Sequence, residues 1–160
     1  MQRKWAGSYP SDLIERARRQ SDTARQHLDN LNYPECISCC IESIELFLKA
    51  ASLLVEGHYP QKHIDSWTDE EIANVIRKIP SELENRINPE IANFPRLFLL
   101  ASFWGEFYNI ARYGQEEFKI GPNRLFTKPE AELAFKHSQE CWMKVSMLKN
   151  YLNQEQKKED

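Results

Sequence analysis

Cys36 and Cys40 stand one helical turn apart, and His137 and Cys141 repeat that spacing near the other end of the chain. If the two helices carrying them ran antiparallel in register, three thiols and an imidazole could converge as a zinc tetrahedron. Against this, Cys is a common small core residue, Cys39 adds a thiol with no place in the set, and no CxxC pair marks a turn. The expected role of these residues is core packing, with no metal and no cofactor. Among the remaining histidines, His27 and His58 fall near helix ends, and His63 lies in a loop where it would cap the next element. No nucleophile sits on a sharp turn beside an oxyanion site, so no hydrolytic triad is readable. Gly57-His58 and Gly121-Pro122 lack the pattern of a phosphate-binding loop. Arg16, Arg18, Arg19 and Arg25 form the densest basic patch, expected as a solvated helix face, with RNA phosphate or an acidic partner as the alternative.

The helices that would position these groups are legible from periodicity. From Tyr33 to Gly57, apolar residues recur at Ile37, Cys40, Ile41, Ile44, Phe47, Leu48, Ala51, Leu54 and Val55, the spacing of one helix face. Ser38, Glu42, Glu45, Lys49, Ser52 and Glu56 form an opposite polar stripe, in which Glu45 precedes Lys49 by one turn in the favourable order. Pro34 suits the first turn and Gly57 the left-handed stop. Glu42 and Glu45 have no Glu-x-x-His partner elsewhere, which disfavours a carboxylate metal site.

Before this helix, Ser11 can cap a segment from Asp12 to Leu31 whose core residues, Ile14, Ala17, Ser21, Ala24, Leu28 and Leu31, are mostly small. The first ten residues read as an irregular lead-in in which Trp5 and Tyr9 pack back on the body. After it, Thr68 with Glu71 forms a capping box ahead of a short helix that Pro80 ends. Ser81 with Glu84 repeats the pattern for a turn or two over residues 82 to 87, up to Asn88-Pro89. Phe94 to Gly114 is the most apolar stretch, read as one helix buried on most sides, with Gly105 allowing a close approach. Thr127 with Glu130 opens a last helix ending near Asn153.

These elements predict an all-α fold: an up-and-down antiparallel bundle of four long helices plus one or two short ones. The 160 residues fit a single domain, with a core from about 12 to 153 and a fraying tail over 154–160. Net charge of −3 exerts no global pull toward nucleic acid. Four cysteines, no charged and apolar leader and no stretch near membrane-spanning length imply a cytoplasmic protein with no membrane association. The Phe94 to Gly114 face has more apolar surface than one bundle can hide, which predicts a homodimer.

Four motifs in order carry a family resemblance. They are Ala24-Arg25-Gln26-His27-Leu28 at the end of the first helix; Tyr33-Pro34-Glu35 through Ile44-Glu45 to Lys49-Ala50; Pro60-Gln61-Lys62-His63; and Ala111-Arg112-Tyr113-Gly114. Together, across residues 12 to 153, they resemble the HEPN domain, a small helical family of higher eukaryotes and prokaryotes with presumed nucleotide binding. The resemblance implies one of two activities. Many such proteins are metal-independent ribonucleases that use an Arg followed four to six residues later by a His; others partner a minimal nucleotidyltransferase, as toxin and antitoxin or otherwise paired.

Arg112 would take the place of the motif arginine, but the histidine positions hold Glu117, Phe118 and Lys119. Without an imidazole near neutrality, proton transfer at a 2′-OH loses its natural carrier. The expectation is therefore a binding module, not an enzyme. Its groove, lined by Glu42, Glu45, Lys49, Arg112 and Tyr113, would receive a nucleotide, an RNA or the nucleotidyltransferase, Arg112 holding a phosphate and Tyr113 stacking a base. The alternative is a ribonuclease with a degenerate motif and Arg112 as its catalytic residue. A purely structural role pairs Arg112 with Glu42 or Glu45.

Overall fold

The computed structural model describes residues 9–84 and 93–159. Its helices are α1 (Tyr9–Asp29), α2 (Tyr33–Glu56), α3 (Asp69–Lys78), α4 (Ser81–Glu84), α5 (Phe94–Gly105), α6 (Tyr108–Tyr113) and α7 (Lys128–Glu159), with 3-10 turns at Ile64–Ser66 and Pro122–Arg124. Among the described residues the only extended pairing is a bridge between Gln115 and Ile120. The lead-in with Trp5, and the 85–92 segment containing Asn88-Pro89, lie outside the described residues.

Local chemistry sets most boundaries. Gly57 ends α2 with φ of 78°, its N–H donating to Leu53 O. Thr68 caps α3 through a reciprocal box: Glu71 N–H donates to its hydroxyl at 3.1 Å, and Thr68 N–H donates to the Glu71 carboxylate at 2.8 Å. Those bonds, with Lys62 beside them, hold the Glu71 carboxyl below its ordinary value. The other two expected boxes differ. Ser81 lies inside α4, and Glu84 reaches forward to accept from Phe94 N–H at 3.4 Å. At Thr127 the Glu130 carboxylate takes both the backbone N–H and the hydroxyl proton, so the hydroxyl donates where a box would have it accept.

Three helix limits also depart from expectation. α1 begins at Tyr9, which places Ser11 within its first turn. α7 continues past Asn153 to Glu159, where Lys158 pairs with Glu155 at 2.6 Å across one turn. The stretch from Phe94 to Gly114 is two helices, because α5 stops at Gly105 and Phe107 N–H bonds to Trp104 O before α6 begins.

Helix directions follow from which residues meet. α1 and α7 are antiparallel, since Arg18 lies over Trp142 and Arg25 over Phe135. α5 runs against α7, with Arg96 on Glu140 and Trp104 on His137. α2 and α7, however, are parallel: Cys36 faces Ala131 and Ser43 faces Ser138, both pairs 95 residues apart. The order is therefore up, down, up, down for α1, α2, α5 and α7, with the α2 and α7 diagonal drawn into direct contact.

Small side chains permit that contact. Ala17, Ser21 and Ala24 of α1, Cys36, Cys40 and Ser43 of α2, and Ala131, Ala134 and Ser138 of α7 are all buried. A hydroxyl chain closes the seam. Ser43 donates to Ala17 O at 2.9 Å and lies 3.0 Å from Ser138, which donates to Ser21 at 3.2 Å, while Gln139 reaches Ser21 at 2.8 Å. Larger residues fill the rest of the core, with Phe47, Phe94, Leu97 and Leu148 fully enclosed and Trp67 against Phe98. Lys144 is buried as well and donates to Leu83 O, tying α7 to α4.

Candidate functional site

The parallel run of α2 and α7 decides the fate of the cysteine and histidine set. Cys36 meets α7 at Ala131, whereas His137 lies six residues farther along, about 9 Å up the helix axis. An antiparallel register, the premise of the tetrahedron, is absent. No three His, Cys, Asp or Glu side chains form a metal-holding group among the described residues. His137 instead accepts from Trp104 Nε1 at its Nδ1, 2.9 Å away, and burial lowers its pKa. All four cysteines are free. Burial pushes the Cys141 thiol far up; burial, with Glu42 and Cys36 beside it, pushes Cys39 up to about 11. The Cys39 and Cys141 thiols are therefore protonated at neutral pH and poor nucleophiles.

The charged residues Glu42, Glu45 and Lys49 of α2 face α6 and the loop that follows Gly57. Glu45 is the hub. Lys49 donates to it at 2.7 Å, and His63 Nδ1 lies 3.0 and 3.1 Å from its two oxygens. Because a carboxylate only accepts, the His63 proton sits on Nδ1 and leaves Nε2 free. Glu45 is mostly buried, its side chain 19% exposed, while His63 is 72% exposed, so the imidazole roofs the carboxylate from the solvent side. The Lys49 ammonium also sits 5.7 Å from the Tyr59 ring centroid.

Arg112 joins this cluster through a tyrosine. Its guanidinium donates to the Tyr108 hydroxyl at 2.5 Å and lies 5.0 Å from that ring, and the hydroxyl donates to Glu42 at 3.1 Å. Burial first, and the Glu42 bond second, hold the Tyr108 phenol above its ordinary pKa, so it stays a donor. The direct Arg112 pairing with Glu42 or Glu45 expected for a structural role is thus replaced by a relay through Tyr108. In sequence Tyr108 reads only as part of the apolar stretch from Phe94 to Gly114. Tyr113 stands free of the body, 74% exposed.

A crevice of about 150 Å³ opens beside Glu45, His63 and Tyr108, lined also by Ile41, Ile44, Ile64, Asp65, Ala101, Gly105 and Asn109; of the groove residues expected from sequence only Glu45 lines it, and Glu42, Lys49, Arg112 and Tyr113 lie outside its lining. Gly105 matters here, because a Cβ at that position would lie 3.2 Å from Cβ of Asp65. His63, Asp65 and Asn109 were not singled out for this role by sequence; the spacing of Pro60 to His63 was the available signal. Beyond Arg112 the chain turns through a tight hairpin in which Gln115 and Ile120 exchange backbone bonds. Gly114 is obligatory there: its φ is 76°, and a Cβ would fall on Ile120 O. Glu117, Phe118 and Lys119 occupy the hairpin tip, with Lys119 at φ of 53° and Phe118 68% exposed.

Helical order, the polar cluster on α2 and the Arg112-Tyr113-Gly114 terminus agree with a match of the HEPN domain sequence model to residues 10–148. The chain belongs to the HEPN family. This HEPN domain is accordingly an all-α module of the nucleotide- and RNA-related kind. The match ends within α7, so the last turns of that helix extend beyond the family segment. No curated relative and no solved structure matches the chain. No helix among the described residues of this HEPN domain is long and apolar enough to cross a membrane.

Proposed function

We propose that this HEPN domain is a binding module that receives a nucleotide or an RNA end at Arg112 and Tyr113, and that it works as a homodimer beside a minimal nucleotidyltransferase. The observation that carries the reading is the Arg112 guanidinium, braced by the Tyr108 hydroxyl and ring on an otherwise exposed residue, with the exposed Tyr113 following it in sequence. A planar cation braced on one side and open on the other suits a phosphate, and a free phenol ring beside it suits a base. Glu42, Glu45 and Lys49 act as the rigid support behind it.

The pairing draws support from the outer face of α5. Leu99 and Phe103 are one turn apart and exposed, at 69% and 47%, while their neighbours Leu97, Leu100 and Trp104 are buried. An apolar pair left outside a filled core suits a second copy. Two measurements test the reading. Titration of AMP, GMP and short RNAs should show binding that Arg112→Ala weakens at least tenfold, and light scattering should show a dimer that Phe103→Glu dissociates. Nucleotide binding unaffected by Arg112→Ala would end the phosphate assignment. Co-expression with a minimal nucleotidyltransferase should yield a complex.

One observation favours metal-independent RNA cutting as a second reading: His63, held at Nδ1 by Glu45, has its ring 6.1 Å from that of Tyr108, whose hydroxyl Arg112 also meets. An oriented imidazole with a free Nε2 is the proton carrier the Arg112 segment lacks. Cleavage of single-stranded RNA in chelator, lost in both His63→Ala and Arg112→Ala, would support it; uncut RNA would exclude it.

A further inference from the structure

The crevice beside Tyr108 has a composition that phosphate binding does not use. Its walls are Ile41, Ile44, Ile64 and Ala101, and its polar lining is acidic or neutral apart from His63 at the roof. An anion is unwelcome there, whereas a flat heterocycle with N–H groups on its edge fits. Glu45 is already engaged by Lys49 and His63. Asp65 and Asn109 are exposed, and among the described residues neither side chain has a hydrogen bond or ion pair. They are the open contacts.

We propose that this crevice, rather than the Tyr113 ring, holds the base of a guanine nucleotide, with Asp65 accepting from N1–H and the exocyclic amine while the phosphate lies outward at Arg112. The phosphate half rests on the nucleotide reading above. A carboxylate offers two parallel acceptors, and guanine is the common base that presents two adjacent donors on one edge. Adenine and cytosine offer an amine beside an acceptor, and uracil offers one N–H between two acceptors. Isoleucine walls suit the ring faces, and Asn109 can donate to the base carbonyl oxygen. Tyr108 sets the spacing, because its ring lines the crevice and its hydroxyl receives Arg112, so base and phosphate subsites are one tyrosine apart. Gly105 leaves room for the Asp65 side chain, since a Cβ there would lie 3.2 Å from Asp65 Cβ.

Isothermal titration of the full chain with GMP, IMP, AMP and guanosine tests the assignment. IMP lacks only the exocyclic amine and leaves one Asp65 oxygen unpaired, so GMP should bind roughly ten- to a hundredfold tighter. Asp65→Asn should collapse that ratio toward one. Asp65 is exposed, so the variant should keep the wild-type melting curve by circular dichroism, and Gly105→Ala should weaken GMP as an independent perturbation. Arg112→Ala should weaken GMP but not guanosine. Equal binding of GMP, IMP and AMP, with Arg112→Ala still harmful, overturns the base assignment and leaves the phosphate reading standing. Guanosine binding that depends on Asp65, with no loss in Arg112→Ala for GMP, sustains the crevice and overturns the phosphate reading. Absence of binding by nucleotide and nucleoside alike overturns both.

Discussion

The two flanks of α2 are built by opposite means. Toward α1 and α7, small residues bring three helices close, and every hydroxyl in the seam finds a partner inside it. Toward α6 and the Ile64–Ser66 turn, long polar side chains reach across a gap, and Asp65, Asn109 and Tyr113 keep polar groups for solvent. One flank spends its polar atoms on itself; the other holds them in fixed positions and leaves them usable. The difference teaches where to look for function in a helical bundle: the serines buried at Ser21, Ser43 and Ser138 are the wrong polar residues, although they are among the most deeply buried.

Substitutions should separate the flanks sharply. Phe47→Ala, at a fully enclosed site of α2, should cost about 3–5 kcal/mol in urea unfolding, the usual range for deleting a core aromatic ring. Ser138→Leu should cost about 1–3 kcal/mol, because the seam has neither room for a larger side chain nor another partner for Ser43. Arg112→Ala should by contrast stay within about 0.5 kcal/mol of wild type, since it removes an exposed group and only one bond to Tyr108. A large loss there would mean that the open flank is structural after all. Thr68→Ala should cost about 1 kcal/mol and Ser81→Ala much less, because only the first residue caps a helix.

The smallest effect is a pH dependence on the α5 and α7 side. Burial lowers the His137 pKa from its ordinary 6.5, so the unfolded chain takes up the proton more readily than the folded one. The contribution of this group is therefore complete above about pH 6.5 and declines as the pH falls below it. Protonation would also set an N–H against Trp104 Nε1. Unfolding free energies from pH 8 to 5 should show this decline, and His137→Gln should flatten it.

Much of the fold was legible because local signals agreed with one another. Pro34 and Gly57 bracket α2, and Thr68 with Glu71 starts α3 where expected. The break at Gly105 was not legible, because apolar spacing continues through Phe107. Nor was the parallel diagonal, since periodicity gives a helix its faces but not its neighbours. Ser43 and Ser52 show the limit plainly: both are polar, yet the structure buries them, against Ser138 and against His58 O respectively. For the candidate site, the charged residues of α2 and Arg112 stood out by type. Tyr108, which connects them, did not, because a tyrosine in an oily helix reads as packing until its hydroxyl is located.

The hydroxyl chain through Ser21, Ser138 and Ser43 also acts as an alignment key. If α7 slipped along α2 by one turn, these groups would lose one another in a dry seam, at about 1–3 kcal/mol for each left unsatisfied. Sliding is thereby penalised at a place where smooth apolar helices would tolerate it. The placement of α2, and with it the Glu42 and Glu45 carboxylates on its far side, is keyed by three small alcohols buried away from the crevice.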